Sequence, residues 1–153
     1  MNSYDFGLLH TSAFKGLKGF TSSLLKPYKL TTYQWALLGV LYEQSTGLGT
    51  TQLAKALNVS KPFVTKAVQS LIKTHWVEKS GAVETDMRAT RFVLTQVART
   101  EVPLIEAQLK SEMKKRLSGI SKIKLYAYIS VLKHISEKLS ESGDKSAYEV
   151  RGK

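Results

Sequence analysis

Apolar side chains recur every three or four residues at Phe6, Leu9, Ala13, Leu17, Phe20 and Leu24, which predicts an amphipathic helix over residues 5–25. Gly7, Gly16 and Gly19 weaken such a helix in isolation by about 1 kcal/mol each relative to alanine, so it is expected to need a packing partner. Pro27-Tyr28 marks a break. A second helix is predicted from about Thr32 to Glu43, because Thr31 and Gln34 have the spacing of a capping box and Leu30 and Trp35 that of a hydrophobic staple. Its body, WALLGVLY, is apolar nearly all round and is expected to lie centrally in the core. Gly47 is expected to serve as a left-handed cap behind it.

The pattern then shortens. Thr50 or Thr51 is expected to cap a short helix that ends near Leu57 and faces Leu53, Ala54 and Leu57 inward. After Asn58-Val59-Ser60 a further helix is predicted from Lys61 to about Thr74, with Ser60 as its cap and Pro62 in its first turn. Phe63, Val64, Ala67, Val68, Leu71 and Ile72 form its apolar face, and Lys61, Thr65, Lys66, Gln69 and Lys73 the opposite one. Trp76–Lys79 and Arg91–Leu94 are short strand candidates around a polar loop, Gly81 to Thr90. The order from residue 50 to 95 is helix, turn, helix and β-hairpin.

Two longer helical patterns close the chain. Thr95 can cap a helix beginning at Gln96, inside which Pro103 is expected to mark a bend or the true start. Ser118-Gly119 breaks it. A last helix follows from about Ser121, with Leu125, Ile129, Leu132, Ile135 and Leu139 as one apolar stripe and Ile123, Ala127 and Val131 beside it. Residues 140–153 are polar and expected to fray.

Composition narrows the classes. The 153 residues hold 23 Lys+Arg against 12 Asp+Glu, net +11, which suits a polyanionic partner. The excess is spread over the chain, with residues 45–95 contributing seven basic and three acidic groups, so charge alone does not locate the contact. There is no cysteine, hence no disulfide and no thiolate chemistry. The first ten residues have neither a basic region nor a long apolar core, so no signal peptide is read, and the longest wholly apolar run, Trp35 to Tyr42, is too short to span a bilayer. A cytoplasmic location is expected, without membrane association. His10, His75 and His134 are isolated and no metal-ligand spacing or phosphate-binding glycine loop is present, so neither an enzyme nor a cofactor is expected. The three S-x-x-K matches, at Ser12, Ser23 and Ser111, are chance hits in a chain rich in both residues.

The middle segment fits double-stranded DNA. A helix that enters a major groove about 12 Å wide needs one face docked on a scaffold and one carrying polar and basic side chains. Lys61, Thr65, Lys66 and Gln69 occupy such an outer face. Gln69 can pair with adenine, Lys66 can reach guanine O6/N7, and Thr65 can touch a thymine methyl or a phosphate. Ser60 and Lys61, at the helix start, suit a phosphate. Thr51, Gln52 and Lys55 on the preceding helix are expected to contact the backbone and fix position without reading sequence. In the loop, Asp86 can brace Arg88 for insertion into a minor groove, with Arg91 next to it.

On these residues the chain resembles the multiple antibiotic resistance regulator (MarR) family of winged-helix transcription factors. Leu30-Thr31 with Gln34 resembles the family's second-helix opening. Gln52-Leu53-Ala54, Leu57, Val59-Ser60, Val64-Thr65 and Leu71-Ile72 resemble its helix-turn-helix, Asp86-Met87-Arg88 its wing signature, and Leu94-Thr95 the sequel. Two departures affect helix ends: Thr74-His75 stands where a glycine is often found, and Gln96 follows Leu94-Thr95 where another is common.

The resemblance implies a mainly α (α+β) winged helix-turn-helix with flanking helices. Residues 30–95 would be the DNA-binding region, residues 1–29 and 96–142 a helical dimerisation region, and residues 143–153 a polar tail. It also implies a bacterial or archaeal homodimer that binds a pseudo-palindromic operator, most simply as a repressor. A small phenolic or other anionic effector would bind in a pocket to which His10, Phe14, Tyr28 and Trp35 are candidates, although core packing is the better account of each of them. The rival readings are a winged helix used as a protein-interaction module, against which the lysine-rich outer face argues, and a peripheral membrane binder, for which no helix has a suitable basic face.

Overall fold

The computed structural model describes residues 2–80 and 90–141, and side chains as far as residue 138. The elements are α1 (Ser3–Leu25), a single 3-10 turn (Lys26–Tyr28), α2 (Thr32–Glu43), α3 (Thr50–Leu57), α4 (Lys61–Lys73), β1 (Val77–Ser80), β2 (Arg91–Leu94), α5 (Gln96–Arg116) and α6 (Lys122–Glu141). They divide into two compact units, residues 1–110 and residues 111 onward.

Helix starts are set by local chemistry. Thr31 and Gln34 close the expected capping box: the Gln34 N–H donates to Thr31 Oγ1 at 3.2 Å and the Thr31 N–H to Gln34 Oε1 at 2.9 Å. The start of α3 differs from expectation, because Gly49, not a threonine, is the cap residue. Its N–H donates to Gln52 Oε1 at 3.0 Å, so the glutamine reaches back over the first turn. Thr95 starts α5 as expected, accepting from the Ala98 N–H at 3.2 Å, and Pro103 lies within that helix rather than at its start.

Left-handed residues make the tight joins. Asn58 (φ 52°) ends α3, and the Val59 N–H then donates to the Ala54 carbonyl at 3.0 Å. Asparagine tolerates this region better than most residues. Between α4 and β1, where the sequence lacks a glycine, His75 takes φ 61°, and the Trp76 N–H donates to the Leu71 carbonyl at 2.9 Å. Gly47 is left-handed (φ 75°) as expected, but the cap of α2 is Gln44, in an extended conformation. Gly47 instead lies against β2: a Cβ there would sit 2.7 Å from Val93 Cγ1 and 2.8 Å from the Phe92 carbonyl oxygen.

β1 and β2 form an antiparallel pair in the register Val77↔Leu94, Glu78↔Val93, Lys79↔Phe92, Ser80↔Arg91. On the other edge of β2, Leu48 bridges Phe92 through reciprocal backbone hydrogen bonds of 3.1 and 2.9 Å. The loop after α2 is thereby tied to the hairpin.

The core of the first unit draws Leu25 from α1, Leu37, Leu38 and Leu41 from α2, Leu53 from α3, Val64, Val68 and Leu71 from α4, Val77 and Leu94 from the strands, and Ala98, Val102, Ile105 and Leu109 from α5. Among the described residues no polar or charged side chain is buried there. Helix α2 is central but not enclosed all round, since Tyr42 is exposed and Trp35, Gly39 and Val40 are half-buried. Helix α1 buries only Leu25, and its predicted stripe is largely open, Phe6 and Leu9 being 46% and 65% exposed. Among its described side chains α6 buries none, and Ile123 and Tyr126 are 81% and 71% exposed.

Candidate nucleic-acid interface

Helix α4 is fastened on one side only. Val64, Val68 and Leu71 are at most 2% exposed and set its inner face. From the flank, Gln34 Nε2 on α2 donates to Ser70 Oγ at 3.1 Å. Lys61, Thr65, Lys66, Gln69 and Lys73 all stay exposed on the outside. A scaffold-anchored rod with a free polar and basic face therefore exists in the folded chain. One expectation for this helix is corrected: Phe63, assigned by periodicity to the buried face, is 42% exposed and packs edge-on against Tyr33 at a centroid distance of 5.2 Å.

The predicted contact residues divide by how free they are. Thr51, Lys55, Lys61, Lys66 and Gln69 are exposed. Ser60 stands at the cap position of α4, but its side chain makes no capping hydrogen bond. Thr65 donates its hydroxyl to the Lys61 carbonyl at 3.0 Å, so its methyl and an oxygen lone pair remain for a partner. Gln52 has its amide oxygen engaged by Gly49. The amide NH2 is the part left for a phosphate. Arg91 is exposed, and its Nη1 donates to the Gly47 carbonyl at 3.4 Å, which leans the guanidinium toward the α2–α3 loop. Asp86 and Arg88 lie outside the described residues.

Electrostatically, the helix-turn-helix carries Lys55, Lys61, Lys66 and Lys73 and no acidic residue from Thr50 to Lys73. Several like charges on one surface focus a positive potential, which raises the encounter rate with a polyanion.

A second feature lies on the far side of α2. An open groove of about 520 Å³ is lined by Trp35, Gly39, Tyr42 and Glu43 from α2 and by Val102, Pro103, Glu106, Ala107 and Lys110 from α5. Of the four candidate effector residues only Trp35 lines it. Tyr28 is half-buried nearby in sequence and donates its hydroxyl to Gln108 Oε1 of α5 at 2.8 Å. His10 and Phe14 lie on the exposed part of α1, Phe14 at 56%. Tyr42 and the α5 lining could not be assigned from periodicity, which gives a helix its faces without saying which neighbour leaves a gap. Among the described residues no cluster of three or more His, Asp or Glu is placed to hold a metal ion. No helix there is long and apolar enough to cross a membrane.

Comparison with known proteins agrees with this geometry. Residues 28–89 match the model of the MarR family. Over 72 residues the chain is 44% identical to the transcriptional regulator AdcR of Streptococcus pyogenes serotype M6, a match spanning 46% of this chain and 46% of that protein. The chain thus matches about half the length of this curated relative. Its fold is similar to that of the MepR–DNA complex of S. aureus (TM-score 0.74, 21% identity, 91% of this chain and 99% of that one). It is also similar to a MarR protein from Peptoclostridium difficile (TM-score 0.76, 20% identity, 93% and 91% covered). A third similar structure is S. aureus MarR in complex with salicylate and kanamycin (TM-score 0.73, 18% identity, 91% and 93% covered). These likenesses show the winged-helix architecture with its flanking helices.

Proposed function

We propose, from the match of residues 28–89 to the MarR family model, that the protein is a non-enzymatic, sequence-specific DNA-binding transcription regulator. The observation that carries the reading is the outer face of α4, where Lys61, Thr65, Lys66 and Gln69 stand exposed opposite the buried side chains of Val64, Val68 and Leu71. Gln69 and Lys66 read base edges, Thr65 a thymine methyl or a phosphate, and Ser60 and Lys61 a phosphate. Thr51, Gln52 and Lys55 hold the DNA backbone. Arg88, braced by Asp86, enters the minor groove, and Arg91 supports the hairpin beside it.

The protein acts as a homodimer in this reading. Apolar side chains stand exposed on α1 (Leu8, Leu9, Phe14), on α5 (Val97, Leu104) and, in the second unit, on α6 (Ile123, Tyr126, Val131), and a second copy of the chain would take them out of water. Residues 1–29 and 96–142 supply that interface and residues 30–95 the DNA-binding region. A twofold dimer sets its α4 helices about one DNA turn apart and calls for a pseudo-palindromic operator. Occupancy of such a site in a promoter represses. The α2–α5 groove is the candidate effector site, with Trp35 and Tyr42 offering apolar walls and Lys110, ion-paired with Glu106 at 3.3 Å, a cation that a phenolate or carboxylate would share. The alternative, a winged helix that binds only protein, is disfavoured by the lysines around α4, since interface cores are depleted in lysine.

The decisive experiment is selection of binding sites from a random DNA pool by the full chain. An enriched palindrome supports function, dimerisation and operator together. Gln69→Ala should change the preferred sequence, and Arg88→Ala should weaken binding by about 1–3 kcal/mol. No enrichment, with binding that does not respond to salt, would leave the protein-interaction module as the better reading.

A further inference from the structure

The tip of α4 is apolar where the rest of its outer surface is basic. Pro62 and Phe63 are the second and third residues of the helix, and both are exposed. Tyr33, from the first turn of α2, is 41% exposed and meets the Phe63 ring at an interplanar angle of 72°. Edge-to-face packing of this kind favours one ring orientation over others. The Gln34–Ser70 hydrogen bond fastens the same stretch of α2 to α4, so the ring is held before any partner arrives. Little side-chain entropy remains to be lost on contact.

The surroundings select the partner. Lys61 precedes the rings and Lys66 follows on the next turn, both exposed. Lysines around an aromatic ring disfavour a protein interface, where lysine is depleted, and suit DNA. In the major groove the feature that an apolar ring can recognise is the C5-methyl group of thymine. Residues in the first turn of a groove-inserted helix are the ones that meet base edges. We infer that Phe63, held in place by Tyr33, is a specificity-determining residue that contacts a thymine methyl in each half-site. This rests on the DNA-binding reading above and adds an aromatic contact to a thymine methyl, separate from the one assigned to Thr65.

The test uses the operator recovered by selection, with each thymine replaced in turn by deoxyuracil, which removes only the methyl group. Wild-type protein should lose affinity about fourfold per half-site at one symmetry-related position, the fold-change that corresponds to burying one methyl-sized apolar group. Phe63→Ala should become indifferent to uracil at that position while keeping its salt dependence. Tyr33→Ala should reduce the same discrimination without changing the salt slope. As a check that needs no variant, 5-iodouracil at the sensitive position should photocrosslink the wild-type chain through the peptide that holds Phe63. An unchanged uracil pattern in Phe63→Ala, or a crosslink on a different peptide, overturns this inference and leaves the regulator standing. Failure of the wild-type protein to bind any selected DNA overturns both.

Discussion

Replacing Gly47 by alanine probes how the hairpin is held to the rest of the DNA-binding region. At φ 75° the backbone of residue 47 occupies the left-handed region, where an L side chain costs about 1–2 kcal/mol. The added Cβ would lie 2.7 Å from Val93 Cγ1 and 2.8 Å from the Phe92 carbonyl oxygen. The valine can turn aside, but the carbonyl belongs to β2 and accepts from the Leu48 N–H at 3.1 Å, so the loop itself must shift. Overpacking of this kind adds about 1–3 kcal/mol. Against that, alanine narrows the unfolded ensemble and returns about 0.4–1 kcal/mol. The expected net loss is about 1–4.5 kcal/mol, centred near 3. At the size of this chain each kcal/mol corresponds to about 2–4 °C, so the melting temperature should fall by about 6–12 °C, measured at one fixed protein concentration. Gly47→Asn, which tolerates the dihedral but keeps the Cβ, should lie between the two. A Gly47→Ala protein that melts within about 1 °C of wild type would refute the argument.

Three further outcomes are expected. Leu38→Ala removes a side chain with no exposed surface from the centre of the core and should cost about 2–5 kcal/mol in urea unfolding. Thr31→Ala deletes one arm of the capping box at the start of α2 and should cost about 0.5–2 kcal/mol by the same measurement. Lys55→Ala should weaken all DNA sequences alike and lower the log–log salt slope by about 1 for each phosphate that is no longer neutralised, as read by titration at several salt concentrations.

Several features governed by neighbours along the chain were legible in the sequence. The Thr31–Gln34 box, the Thr95 start of α5, the Asn58 turn and the two-faced pattern of α4 depend on residues three or four apart, and all are found in the folded protein. The MarR resemblance followed from the same local patterns, and residues 28–89 match that family. Asp86 and Arg88 were equally plain as a motif, and they lie outside the described residues.

What each face meets depends on packing between distant segments. Periodicity assigned Phe63 to the core, yet its neighbour Val64 takes the buried position and the Phe63 ring lies beside Tyr33. Gly47 was visible as a left-handed glycine, but its need to be one comes from β2, some forty-five residues later. The left-handed turn after α4 needed no glycine, because His75 accepts it with the Thr95 hydroxyl donating to its carbonyl at 2.8 Å. The stripe on α1 was correctly apolar and is largely exposed within the single chain. A repeat of three and four residues records that a face avoids water. The identity of the surface that covers it is a long-range property, set by packing between segments far apart in the sequence or by a second copy of the chain.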